Sequence, residues 1–255
     1  MDGKQVEASL RSNSDLFWAI RGGGGNFGVL TALEYQLHPV DQVLSGALTY
    51  PAGRIPELLH GFVRFLAGAP DEMDAFAQLL PSRQGRRLTI DLCCCGNPRM
   101  GNNLLSSLRA LKPQEDSVRI MPYLEAQAAG GFLAPPVAHF QTNVFLPGLS
   151  AAVIAATTTS VNNGPPTCKV IIVPLRGAVG RVNLTDTASA LREPGYEIDI
   201  AGVWNIAEEK AGVVRWVQAI RDSLRPSPHG VYVNQLRDTT DQLVRSAMGG
   251  TMLVW

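Results

Sequence analysis

Residues 29–38, VLTALEYQLH, alternate: Val29, Leu33, Tyr35 and Leu37 fall on one face, Glu34, Gln36 and His38 on the other. A period of two predicts a half-buried strand, and Pro39 closes it. The period then changes. In RIPELLHGFVRFL, 54–66, Ile55, Leu58, Leu59, Phe62, Phe65 and Leu66 recur at helical spacing and form one apolar stripe. Strands are predicted at 73–80 and at 87–95, where Leu88, Ile90, Leu92 and Cys94 alternate with polar or small residues. A helix over 99–112 ends before Pro113. The second half repeats the theme, with strands at 139–146, 168–174 and 196–204 and helices at 149–162 and 206–224. In the last helix Val213, Val214, Val217, Ile220 and Leu224 form the buried stripe, and Arg225-Pro226 ends it. A short strand, VYVNQL at 231–236, and a terminal helix at 239–247 complete the pattern. Helices follow pairs of strands rather than every strand. The expected class is therefore α+β, an antiparallel sheet with helices on one face.

Composition narrows the function classes. The 255 residues are 45% hydrophobic and 17% charged, too apolar for disorder and too mixed for a coiled coil. Lys and Arg number 22 against 22 Asp and Glu, which argues against a protein that works by gripping nucleic-acid phosphates. No stretch approaches the roughly 18 apolar residues of a membrane span. The first residues, MDGKQVEASLRSNSD, hold no apolar core of a secretory signal. Cys93, Cys94 and Cys95 are consecutive and Cys168 stands apart, so no paired thiolates suggest a metal site. DLCCCGN reads instead as a strand end with small apolar side chains, which fits a reducing compartment.

One segment is chemically loud: DLFWAIRGGGGNFGVL, 15–30. Gly23, Gly25 and Gly28 satisfy the letters of the dinucleotide fingerprint. That motif needs a strand before the glycines and a helix after them, so that pyrophosphate sits on the helix N-terminus. Here the order is reversed: Ser14 caps a short helix, and a strand follows the glycines. The order also speaks against a nucleotide-binding regulatory domain, and no Lys-Ser/Thr follows to make a P-loop. Four glycines in a row still carry an entropic cost on ordering. They serve either a tight helix-to-strand turn or a bare main chain that lines a ligand.

The run DLFWAIRGGGGNFGVLTALEYQLHPV closely resembles the end of the flavin-binding domain in FAD-linked oxidases of the berberine-bridge-enzyme type, within the vanillyl-alcohol-oxidase (PCMH-type FAD-binding) fold group. MPYLEAQ (121–127), FQTNVFLPGLS (140–150), VIIVPLRGAV (171–179), TASALR (187–192) and VYVNQL (231–236) resemble that family's substrate-domain landmarks, in order. The resemblance implies three parts: residues 1–40 from the end of the FAD-binding α+β domain, 41–230 as the substrate-binding domain, and 231–255 returning toward the FAD domain. It implies FAD as cofactor, with main-chain contacts from Gly25, Asn26, Gly28 and Leu30. Asp15, Trp18 and Arg21 are left as structural. It also sets the Tyr232-Val233-Asn234 strand beside the flavin ring, with Asn234 bonding the flavin and Tyr232 as the candidate catalytic base. On a strand, i and i+2 share a face, so the phenol and the amide project together. The sequence departs from the family at Gln235, where relatives often carry an aromatic residue, and at Met248, where a tyrosine is expected.

The family's pyrophosphate loop and its flavin-linking His have no counterpart, and none of His38, His60, His139 or His229 stands in that context. The resemblance therefore implies a chain truncated at both ends, which by itself binds FAD weakly or not at all. The implied reaction is hydride transfer from an alcohol- or amine-bearing carbon of a small molecule to flavin. The rival is a non-catalytic binding or structural module that keeps the fold without the cofactor.

Overall fold

A computed structural model describes residues 3–82, 85–129, 138–189 and 191–224, together with Tyr232. The strand at 231–236 (Tyr232 apart), the helix at 239–247 and the side chain of Asn234 lie outside the described residues.

The expected α+β architecture is present. Strands β1 (Gln42–Pro51), β2 (Met73–Ser82), β3 (Gly85–Cys94), β4 (Glu115–Asp116), β5 (Arg119–Pro122), β6 (Ala138–Leu146), β7 (Cys168–Leu175) and β8 (Gly195–Trp204) form one sheet. Its order is β4-β1-β3-β2-β7-β8-β6, with β5 also pairing with β1, and every pairing is antiparallel. Strands β2 and β3 pair from Met73–Cys94 to Ser82–Gly85, and β7 and β8 from Cys168–Gly202 to Leu175–Gly195. Among the described residues, the two halves of the sheet pair only along β2 and β7, through Ala77–Ile172, Gln78–Ile171 and Leu79–Val170.

Helices α2 (Ile55–Gly68), α6 (Ala151–Asn162) and α7 (Lys210–Leu224) pack on one face of this sheet. Ile55, Leu58, Leu59, Phe62, Phe65 and Leu66, the stripe read from the sequence, are all buried. They meet Leu48, Leu88, Ile90, Val170, Ile172, Ile198 and Ile200 in one core. Tyr50 is buried in it, and its hydroxyl donates to the Leu108 carbonyl at 2.9 Å. Burial pushes that phenol well above its ordinary range. Arg86 is also buried on the core side, where its guanidinium donates to the carbonyls of Val161 and Cys168 at 2.9 and 2.6 Å and of Gly164 and Pro165 at 3.1 and 2.7 Å. It thereby gathers the orphan carbonyls at the end of α6 and the loop into β7. No helix among the described residues is long and apolar enough to cross a membrane.

Three expectations are corrected. Residues 29–38 do not pair with any strand among the described residues, and Val29, Leu33, Tyr35 and Leu37 are exposed. Alternation sets which face a strand would bury, but a strand also needs a neighbour to bond. The helix over 99–112 is two short pieces, α3 (Pro98–Leu104) and α4 (Ser106–Arg109), interrupted at Leu105. The short helix α1 (Ser14–Ala19) is preceded by Asn13 in a left-handed conformation at φ 46, and Ser14 is its first residue rather than its cap. Strand β1, the short β4 and β5 and helix α5 (Tyr123–Ala129) add to the elements that the sequence pattern predicts.

Candidate active site on the open sheet face

The face of the sheet away from the helices is polar where it crosses β6 and β8. Along β8, Ile198 and Ile200 point into the core, so Glu197 and Asp199 must point the other way. Asp199 pairs in register with Asn143 of β6, and Ile171 of β7 flanks it on the other side. Although no helix among the described residues covers this face, Asp199 is 8% exposed and Asn143 fully buried. A sheet face turned to bulk water would expose every second residue, so this part of the face is covered, with the Tyr232 main chain lying against Asn143.

Burial controls the chemistry there. The Asp199 carboxyl is pushed up to about 6 by burial, against the hydrogen bond from Gln141 Nε2 at 3.0 Å and the Lys169 ammonium, both of which favour its charged form. Glu197 is pushed up to about 7, chiefly by burial and then by the neighbouring Asp199 charge. Its Oε1 is buried with no hydrogen-bond partner among the described residues. Two buried carboxyls set near neutrality are suited to take up and return protons. Motif reading of the sequence misses both. The signal is present in GYEIDIAGVW, where acids alternate with isoleucines in the middle of an apolar strand.

Tyr232 lies over this face. Asn143 Nδ2 donates to the Tyr232 carbonyl at 3.1 Å, and the Tyr232 N–H donates to Asn143 Oδ1 at 2.9 Å. A side-chain amide thus imitates a strand partner and fixes the Tyr232 main chain beside the register partner of Asp199. The residue is 39% exposed.

The glycine turn reaches the same half of the sheet by another route. Trp18 Nε1 donates to the Thr185 carbonyl at 2.7 Å, Arg21 Nη2 to the Asp186 carbonyl at 2.9 Å, and the Ala188 N–H to the Trp18 carbonyl at 3.3 Å. The 185–189 loop so gripped leads into β8. Gly22 has φ +125, and a Cβ on it would lie 2.5 Å from the Ser189 nitrogen; one on Gly23 would lie 2.4 Å from the Phe27 ring. Those two glycines serve the turn itself. Gly24 and Gly28 have positive φ but open space beside them. Gly25 lacks a positive φ, and a Cβ on it would meet no atom of the described residues within 4 Å. Gly25, Asn26, Gly28 and Leu30 are all exposed. Nothing among the described residues demands a bare main chain at Gly25, so the segment fits a flat group laid against it, as FAD would be.

No family model matches the chain. It is 26% identical over 246 residues to an FAD-linked oxidoreductase of Dictyostelium discoideum, covering 94% of this chain and 53% of that protein. It is likewise 26% identical over 235 residues to an uncharacterized FAD-linked oxidoreductase of Bacillus subtilis, covering 90% and 52%. The chain therefore spans about half the length of the curated relatives it matches. Among solved structures, Physcomitrella patens BBE-like 1 aligns at TM-score 0.86 and 18% identity over 99% of this chain and 58% of that one. Berberine bridge enzyme in complex with (S)-reticuline aligns at 0.79 and 17%, over 93% and 55%. A Myceliophthora thermophila xylooligosaccharide oxidase with xylobiose aligns at 0.81 and 18%, over 99% and 59%.

Proposed function

This chain is a relative of the FAD-linked oxidoreductases with the fold of berberine bridge enzyme, and from that premise we propose that it supplies the substrate-binding half of a flavin-dependent oxidase. The substrate is a small molecule oxidised at a hydroxyl- or amine-bearing carbon. FAD, when bound, supplies the acceptor for the hydride that leaves this carbon. Gly25, Asn26, Gly28 and Leu30 would hold it through exposed main chain, joined by Asn234.

The observation that carries the reading is the carboxyl pair on the open face. Oxidising an alcohol releases a hydroxyl proton as well as a hydride, and the proton needs a base within reach. Asp199, held by Gln141, accepts that proton, and Glu197 beside it passes it toward solvent. The Gln141 hydrogen bond and then the Lys169 charge offset part of the burial that raises Asp199. Tyr232 closes the site from above through its bond to Asn143 and offers its phenol to the same substrate oxygen. A module that had kept only its scaffold would have no use for two carboxyls buried at energetic cost, which supports catalysis over the purely structural alternative.

The test is the pH profile of substrate oxidation with this chain fused to the flavin-binding half of a relative and FAD supplied. The rate is expected to rise with pH through about 6, because the ionised form of Asp199 is the active one. Asp199→Asn should lower kcat by about 100- to 10,000-fold and remove that limb. An Asp199→Asn protein with the parent rate and the parent limb refutes the assignment.

A further inference from the structure

The four cysteines divide by direction. Cys94 faces the core at 3% exposed, where a Cβ on Gly101 would lie 3.0 Å from its Sγ, and Cys168 is fully buried against Gly202. Strand alternation then turns Cys93 and Cys95, at the end of β3, onto the open face. Cys93 is half-buried, Cys95 is exposed, and both are free thiols. The Cys93 thiol is hydrogen-bonded to the Cys95 sulfur. Strand β3 ends at Cys94, and the Cys95 N–H donates to the Glu72 carbonyl at 2.9 Å, so Cys95 lies just past the ladder, where the chain can still bend. Among the described residues no group of three or more His, Cys, Asp or Glu side chains could hold a metal ion. What the strand end presents is a pair of thiols in contact, one of them open to solvent.

We propose that Cys93 and Cys95 form a thiol modification site that reacts with small disulfides of the glutathione type and closes to a reversible intrachain bridge. Exposure makes Cys95 the attacking residue. Its thiolate displaces one glutathione thiolate from glutathione disulfide and leaves Cys95 joined to the other glutathione. Cys93, already in contact with that sulfur, then gives up its proton and attacks it. The Cys93–Cys95 bond forms, the bond to glutathione breaks, and the leaving thiolate takes up the proton. Two protein thiols are thus oxidised by two electrons, and one glutathione disulfide is reduced to two glutathione thiols. Burial pushes the Cys93 thiol up to about 11 and keeps it protonated near neutrality. That suits it to the second step, where proximity supplies the drive, and not to the first. Residues i and i+2 of an extended strand stand about 6.6 Å apart at Cα, near the upper limit of what a disulfide spans. The bridge is therefore strained and readily reduced, as labile regulatory disulfides are. None of this chemistry depends on the flavin.

The test is intact-mass analysis of the full chain, kept native and incubated with glutathione disulfide at about pH 8, near the ordinary thiol range. The parent is expected to lose two hydrogens, with bridged chain exceeding the glutathione adduct by at least about tenfold. Excess reduced glutathione should then restore the full thiol count. Cys93→Ser should stop at one glutathione adduct, and Cys95→Ser should react at least about tenfold more slowly than the parent. Cys94→Ala should bridge as the parent does, with thermal unfolding confirming that each variant is folded. A parent that halts at the adduct, or that stays fully reduced, overturns the proposal. So does a bridge that survives Cys93→Ser or Cys95→Ser, or one that Cys94→Ala abolishes in a folded chain.

Discussion

Arg86 ties the end of α6 to the sheet. It is 6% exposed, and its guanidinium serves four main-chain carbonyls, with no carboxylate hydrogen-bonded to it among the described residues. Arg86→Met keeps the aliphatic stem and deletes every donor. Hydrogen bonds to a charged group contribute about 1.5–3 kcal/mol each, but removing the guanidinium also recovers several kcal/mol of its desolvation. The carbonyls left behind, at the helix end where the dipole is negative, cannot all find water. The net loss expected is about 3–5 kcal/mol, the range for breaking a buried charged network. Against a total stability on the order of 5–15 kcal/mol, that lowers Tm by roughly 10 °C. Urea unfolding followed by tryptophan fluorescence measures it. Trp216 is a local reporter, because its Nε1 donates to the Ser160 carbonyl at 2.9 Å and its indole fills the space a Cβ on Gly164 would take. A loss below about 1 kcal/mol would show that water replaces the guanidinium, and the reasoning would fail.

Two further outcomes follow from the open face and the glycine turn. Glu197 and Asp199 titrate higher in the folded chain than in the unfolded one, so the native state retains protons that the unfolded chain releases. Their contribution to stability is complete below the ordinary carboxylate range and is lost as pH rises through about 6 to 7; Glu197→Gln should flatten urea midpoints measured from about pH 4 to about pH 8. In the turn, Gly22→Ala should weaken the fold by about 1–3 kcal/mol through its clash with Ser189, whereas Gly25→Ala should leave unfolding within about 0.5 kcal/mol of the parent and instead weaken FAD retention. A Gly25→Ala protein that holds FAD as the parent does would remove the turn from the cofactor site.

The sheet and its helices are largely legible in the sequence because burial there is local and periodic. The stripe from Ile55 to Leu66 and the alternation at Leu88, Ile90 and Leu92 each report one face against one core. Strand β1 escapes the pattern where Ser45 and Gly46 break the alternation; Gly46, at φ +146, makes room for Ser117 and Val118 crossing its edge. The segment at 29–38 misleads in the opposite direction, since a clean alternation says nothing about whether a partner lies alongside. The glycine turn is legible as a resemblance, and the fold divides its labour: Gly22 and Gly23 serve packing, whereas Gly25 serves no contact among the described residues. Asp199 and Glu197 are invisible to motif reading because their significance comes from register with Asn143 and from burial, neither of which has a sequence spacing.

The seam between β2 and β7 has a kinetic meaning. Each half of the sheet is stitched by long ladders, β2–β3 as a tight hairpin and β7–β8 along the full strand, while only three register pairs join the two ladders among the described residues, helped by Arg86 and the shared core. Local pairings close at lower entropic cost than distant ones, so the expected folding order completes the β2–β3 and β7–β8 ladders before the β2–β7 pairing joins them.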